Sequence, residues 1–280
     1  MPTSESTQTL EQATLTDEQR TFFDANGYLI IENALPDSLV KELDNAIDDL
    51  YNDPSLKDHF RNENELNLRN CIVHHPPFLQ LLDWPTTAPL AWQILNWNIQ
   101  MITSHLIVIP PGPEPSDEDK RKGGWHRDGG TSPREMTEPH PRIMLKIAYV
   151  ISDQTDPASG ATKIVPGSNR MWGSPPVDPE TGHLRGAISL NLKPGTAFIF
   201  EQRTYHTVSK NWSNTSRKTI FMGYGYRWVK PMDYIEMPDE LVARCNPIQK
   251  QLLGVVSDPI SYYIPRAEDV PLKALLEPAK

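Results

Sequence analysis

The stretch Trp125-His126-Arg127-Asp128 sets an imidazole and a carboxylate two residues apart. On extended backbone, side chains two apart project to the same side, so both groups can converge on one cation. Gly123-Gly124 and Gly129-Gly130 flank the pair and leave room beside it. Such a pair needs a third ligand, and two His with one carboxylate around open positions is the arrangement of non-haem Fe(II) oxygenases. His206, in FIFEQRTYHTVS, is the candidate. A His-X-Asp arises readily by chance in a chain with 8 His and 36 acidic residues, so its context must carry the assignment.

Arg217 supplies part of that context. It follows His206 at an interval of 11 residues, after the Asn-rich turn KNWSNTS. Were this turn a hairpin, the chain would return beside the strand of His206 and bring a guanidinium near the metal. Arg binds carboxylates bidentately, as a keto-acid cosubstrate requires. Alone it would read as an ordinary ion-pair residue.

The elements that must position these groups are short, because 27 Pro spread along the chain forbid long uninterrupted helices. Thr16 and Gln19 have capping-box spacing before DEQRTFFDAN, and Asn26-Gly27 closes that helix. A strand over 28–32 follows. Asp37 then caps a second helix whose Val40, Leu43, Ile47 and Leu50 form a stripe that should lie on a sheet. His74-His75 reads as a plain loop, since adjacent side chains point opposite ways, and 90–97 reads as a packing helix.

From residue 99 the pattern is one of strands: IQMITSHLIVIP, RIMLKIAYVISD, ASGATKIVPGSN, AISLNLKPGTAFIFEQ and RKTIFMGYGYRW, broken at Gly and Pro. The charged stretch 113–122 delivers the chain to His126. A short helix near 238–246 and an extended segment close the chain. The implied fold is mainly β, a jelly roll covered on one side by helices. Ser104, His105 and Arg134 are candidate pocket residues, and Trp125, Phe198, Phe200 and Tyr205 read as core aromatics.

The 280 residues suffice for one large domain, expected over 14–280 after a disordered 1–13. The net charge of -9 argues against nucleic acid or an anionic membrane as partner, leaving a small-molecule substrate. No stretch could span a bilayer, and the start MPTSESTQTLEQ lacks signal-peptide features. Cys71 and Cys245, read as buried apolar residues, suit a reducing compartment, so the protein is expected to be cytoplasmic.

The order WHRD, GATKIVPGSN, PGTAFIFEQRTYH and then Arg217 resembles the phytanoyl-CoA dioxygenase family of Fe(II)/2-oxoglutarate-dependent oxygenases. The resemblance implies a double-stranded β-helix of cupin-like type with N-terminal helices packed on one sheet. It implies His126, Asp128 and His206 as iron ligands, Arg217 on the far carboxylate of 2-oxoglutarate, and Tyr149 as an aromatic wall of the cosubstrate pocket. Family members often carry a hydroxyl residue two after the distal His. Here Val208 stands there, and Thr207 and Ser209 are the nearest hydroxyls, so Ser209 is a further cosubstrate candidate. With Fe(II), 2-oxoglutarate and dioxygen, such an enzyme oxidises a substrate C–H bond, giving succinate and CO2.

A cupin-type metal isomerase or hydrolase, which would have no need for Arg217 at that spacing, and a non-catalytic jelly-roll binding module are the alternatives; succinate formation with Fe(II) and 2-oxoglutarate separates all three. Alternation from Arg217 also places Thr219, Phe221, Gly223, Gly225 and Arg227 inside the barrel if no bulge intervenes. The glycines would then open the substrate pocket, with Arg227 at its mouth.

Overall fold

A computed structural model describes residues 12–62, 64–116, 124–128 and 139–277. The Thr16 hydroxyl accepts from Gln19 N to open helix α1 (Asp17–Asn26), and Gly27, at φ 77°, ends it. Strand β1 (Tyr28–Ile31) and helix α2 (Asp37–Tyr51) follow. Pro36, not Asp37, occupies the N-cap; Asp37 instead places its charge in the first turn, against the positive end of the helix dipole. Short strands β2 (Phe60–Arg61) and β3 (Glu65–Arg69) precede helices α3 (Pro76–Gln80) and α4 (Ala88–Leu95). His74-His75 forms the short connection between a 3-10 turn and α3, the plain loop expected, and His75 makes no side-chain cap.

Then come β4 (Ile99–Ile109), β5 (Met144–Val150), β6 (Thr162–Ile164), β7 (Ile188–Ser189), β8 (Ala197–Glu201), β9 (His206–Val208) and β10 (Arg217–Tyr226). Helices α5 (Asp239–Ala243), α6 (Pro247–Leu252) and α7 (Pro271–Leu276) finish the chain. No helix among the described residues is long and apolar enough to cross a membrane.

The strands form a seven-stranded sheet, β1-β8-β5-β10-β4-β3-β2, and a three-stranded sheet, β7-β6-β9, antiparallel throughout. The chain alternates between them, with β8 in the large sheet, β9 in the small one and β10 in the large one again. This is a double-stranded β-helix, and the protein is mainly β.

Period-two alternation gives the large sheet two different faces. On β5, Leu145, Ile147 and Tyr149 join an outer core with Leu43 and Ile47 of α2 and Leu90, Trp92 and Leu95 of α4. Ala148 and Val150 turn inward and meet Ile164, Leu190, Phe198, Phe200 and Phe221 between the sheets. The outer core is the larger, running from Leu15 to Leu272, and each fully buried Leu or Ile contributes about 2 kcal/mol. Stability thus resides mainly on the helical side, and the inner face is free to carry polar groups.

Gly27 ties α1 to the barrel: its carbonyl accepts from Glu201 N at 3.1 Å and from Thr204 Oγ1 at 2.8 Å. A Cβ there would sit at positive φ and run into Thr204 Oγ1 and Asn169. Gly27→Ala should therefore cost about 2 kcal/mol or more. In urea unfolding the midpoint should fall at unchanged slope; an unmoved midpoint would show that the junction relaxes freely.

Candidate metal and carboxylate site

His126 and His206 face each other across a backbone pairing, His126 N to His206 O at 3.1 Å and His206 N to His126 O at 3.0 Å. This bridge adds the His126 segment to the edge of the small sheet. Asp128 N donates to Gln202 O at 2.9 Å and extends the same attachment. The intervening Arg127 fastens the segment elsewhere. Its Nε donates to Arg203 O at 2.8 Å, its Nη2 to Ser168 O and Met171 O, both at 2.9 Å, and its guanidinium lies over the Tyr205 ring.

The ligand geometry follows. His126 Nδ1 is 2.8 Å from Gly124 O and His206 Nδ1 is 3.0 Å from Thr204 O. A carbonyl only accepts, so each Nδ1 holds its proton and each Nε2 keeps a lone pair for a metal. One ligand atom from each of His126, Asp128 and His206 lies within 4.8 Å of the others. Burial pushes the His206 pKa down to about 4, which keeps the imidazole neutral. Burial would raise Asp128, but the effects led by the neighbouring Lys146 ammonium outweigh it, and its carboxyl stays below the usual range. A neutral His206 imidazole, a free Nε2 on each ring and an ionised carboxylate suit a divalent cation.

Arg217 shares the cavity of about 230 Å³ that holds this triad. It does not arrive through a hairpin with β9. The stretch KNWSNTS crosses from the small sheet to the large one, where β10 pairs with β4 and β5, so Arg217 reaches the cavity across the gap between sheets. Only 1% exposed, it donates from Nη2 to Thr162 Oγ1 at 3.0 Å and from Nε to Gln154 Oε1 at 3.4 Å. Its Nη1 has no partner, and no carboxylate of the described residues pairs with it. Burial lowers its pKa to about 10, with the charge of Glu65 in the same cavity opposing. A buried guanidinium with a free donor fits a carboxylate guest.

Two expected cosubstrate residues lie elsewhere. Tyr149 faces the helical layer, where its hydroxyl is 2.7 Å from Thr87 Oγ1; strand parity sends it away from the cavity. Ser209 lines a separate cavity with Trp212 and His183. The hydroxyl beside Arg217 comes from Thr162, the register partner of Val208 on the neighbouring strand.

Lys146, which the sequence did not single out, hydrogen-bonds Asp128 Oδ1 at 2.9 Å and stands 2.9 Å from Oδ2. Its signal was a Lys at an inward position of an otherwise apolar strand. Arg61, Glu65, Asn67, Arg69 and His105 complete a polar wall of the cavity. His105 faces in, with Nε2 2.8 Å from Asn67 Oδ1, whereas Ser104 faces out and accepts from Ile72 N.

Gly223 does point inward, yet the Thr103 methyl and the Lys146 stem fill the space beside it, so it opens no pocket. A register shift between Gly223 and Tyr224 ends the simple alternation there. A Cβ at Gly225 would meet Ile102 and Met144, and Arg227 enters a different cavity. The expectations for Gly123, Gly129, Gly130 and Arg134, for residues 117–122 and for the start of the chain fall outside the described residues.

A sequence model of the phytanoyl-CoA dioxygenase (PhyH) family matches residues 23–219. An uncharacterized protein of Mycobacterium tuberculosis is 24% identical over 266 residues, covering 91% of this chain and 94% of its own. An ectoine dioxygenase of Nocardia farcinica is 24% identical over 236 residues, 73% of this chain and 76% of that protein. The crystal structure of EctD from S. alaskensis with bound Fe superimposes with a TM-score of 0.62 at 24% identity, covering 85% of this chain and 88% of that one, a likeness of fold. With the family model spanning most of the chain and the triad and arginine gathered in one cavity, the chain belongs to the phytanoyl-CoA dioxygenase family of Fe(II)/2-oxoglutarate-dependent oxygenases.

Proposed function

We propose that His126, Asp128 and His206 hold Fe(II), that Arg217 and Thr162 hold the far carboxylate of 2-oxoglutarate, and that the enzyme hydroxylates a C–H bond of a small polar metabolite in the cytoplasm. The observation that carries this reading is the buried Arg217 guanidinium, with an unpartnered Nη1, in the cavity of the triad. A cupin-type isomerase or hydrolase would have no need of it, and succinate formation on adding Fe(II) and 2-oxoglutarate separates the oxygenase from a non-catalytic binding module. The bound iron, 2-oxoglutarate and dioxygen supply the oxidation, yielding succinate and CO2. The chain orients two imidazoles through Gly124 O and Thr204 O, holds Asp128 ionised and grips the cosubstrate as a fork.

The polar wall that β2, β3 and β4 give this cavity speaks for the substrate class. Arg61, His105 and Asn67 suit a polar group bearing negative charge, Arg69 being already paired with Asp233, and Glu65 offers an acceptor for an amine. Given relatives named ectoine dioxygenase, solutes of that class are the first to test. Asp128 occupies the position where related halogenating enzymes have a small residue, and its charge disfavours a second anion at the metal, so the product should gain oxygen and no halide.

His206→Ala should abolish Fe(II) binding in anaerobic titration, along with substrate-dependent succinate formation, while leaving the circular dichroism spectrum unchanged. Near-normal binding would remove His206 from the ligand set. Under oxygen-18 gas in chloride-rich buffer, mass analysis should show a labelled hydroxyl; a chlorinated product would refute the assignment of Asp128.

Arg217→Met removes a buried charge that no carboxylate neutralises, so the ligand-free variant should melt at or above the wild-type temperature. The wild type should gain about 2.7 kcal/mol when 2-oxoglutarate is at a hundredfold excess over its Kd, and the variant should gain nothing. Equal stabilisation of both proteins would place the cosubstrate elsewhere.

A further inference from the structure

The strand that begins at Arg217 delivers a second buried arginine at its other end. Arg227 is 1% exposed, and its Nε, Nη1 and Nη2 all lack hydrogen-bond partners. Its backbone is pinned, the N–H donating to Asn98 O at 3.1 Å and the carbonyl accepting from Gln100 Nε2 at 3.1 Å. The guanidinium carbon lies 5.7 Å from the centroid of the Tyr262 ring. Asp269 acts on it through space, but the Asp269 oxygens are engaged by Ser257 N, Ser257 Oγ and Ser261 Oγ. A buried cation in this position calls for a counter-ion.

Arg227 lines a cavity of about 550 Å³ bounded by the 228–237 segment, α5 and the closing part of the chain. That volume is typical of small-molecule sites, for which roughly 300–1,000 Å³ is usual. The cavity shares no lining residue with the triad's cavity. Ten residues of extended chain separate the two arginines by roughly 30 Å. Trp228, Val242, Leu253 and Tyr262 give it apolar walls. At its mouth Trp228, Ile235, Val255 and Tyr263 are 50%, 84%, 37% and 75% exposed, an apolar rim rather than a polar one. Its other charged lining residues, Lys230, Glu236 and Asp239, are exposed and free to turn to water.

We propose that this cavity binds an organic monocarboxylate with an apolar body. The carboxylate pairs with the Arg227 fork, the Tyr262 ring shifting to admit it, and the body lies along Trp228, Val242 and Leu253. A phosphate would bring additional oxygens, and the neighbouring amide of Gln100 is already committed to the carbonyls of Arg227 and Val229. Two carboxylate oxygens are matched by the guanidinium alone. The site is independent of the metal centre, and its occupant is a second ligand, not the substrate.

The test is calorimetric titration of the full chain with sodium octanoate, with octan-1-ol and inorganic phosphate as controls. Octanoate should bind once per chain and raise the melting temperature, and neither control should do so. Arg227→Met should weaken octanoate at least about tenfold, the loss expected for a charge-assisted hydrogen bond. The same variant should retain 2-oxoglutarate binding, and Arg217→Met should retain octanoate binding. Val242→Phe, which narrows the cavity and leaves Arg227 intact, should weaken octanoate as well. Absence of saturable binding, equal affinity in Arg227→Met, or equal stabilisation by octan-1-ol would overturn the proposal. So would a ligand-free Arg227→Met protein melting far below wild type, since Arg227 would then be a structural group joined to Asp269 through buried water.

Discussion

The two reciprocal backbone hydrogen bonds between His126 and His206 are the constraint on which the rest of the site depends. They fix the separation of the imidazoles and join the His126 segment to the small sheet. The turn between β8 and β9 secures both partners, since Gln202 O holds Asp128, Arg203 O holds Arg127 and Thr204 O orients His206. That turn is anchored at Glu201, fully buried, whose carboxylate takes Arg203 at 2.9 Å on each oxygen and Arg142 on one. Arg142 reaches on to Asp24 of α1. Removing one partner of such a buried cluster typically costs about 3–5 kcal/mol, so a distortion at α1 is felt at the turn that orients His206.

The large sheet divides its labour by face. Outward, nearly every position is apolar and packs under the helices. Inward, aromatic and polar groups sit side by side, Lys146 opposite Phe200 and His105 opposite Phe221 in the strand register, with Arg217 farther along β10 in the same cavity. Burying an uncompensated guanidinium is tolerable because the outer core supplies the stability. The same division explains Tyr149, whose ring serves the helical core one pleat away from the cavity wall.

Much of this was legible in the chain. The capping box at Thr16, the α2 stripe and the run of short strands are local signals, and each appears where spacing puts it. The convergence of His126, Asp128, His206 and Arg217 in one cavity followed from motif order. What sequence could not supply was the sheet to which each strand belongs. A turn such as KNWSNTS looks the same whether it closes a hairpin or crosses a sandwich, and the choice rests on long-range pairing. Thr162 was missed for that reason, because its closeness to Arg217 exists only once β6 and β9 are in register. Lys146 and Tyr149 were readable by parity along β5 alone.

The placement of the two imidazoles also governs when the site comes into being during folding. His126 and His206 belong to segments joined only through the intervening β5, β6, β7 and β8, so their pairing closes a long loop and spans both sheets. Contacts of such separation are reached late, after local helices and neighbouring strands have formed, because closure entropy must be met first. A nascent chain that has emerged only as far as β8 holds His126 and Asp128 but no His206, and so has an incomplete ligand set. Under the proposed ligand assignment, iron capture is thereby deferred to a nearly native barrel, and a redox-active metal is kept from a chain whose core is still open.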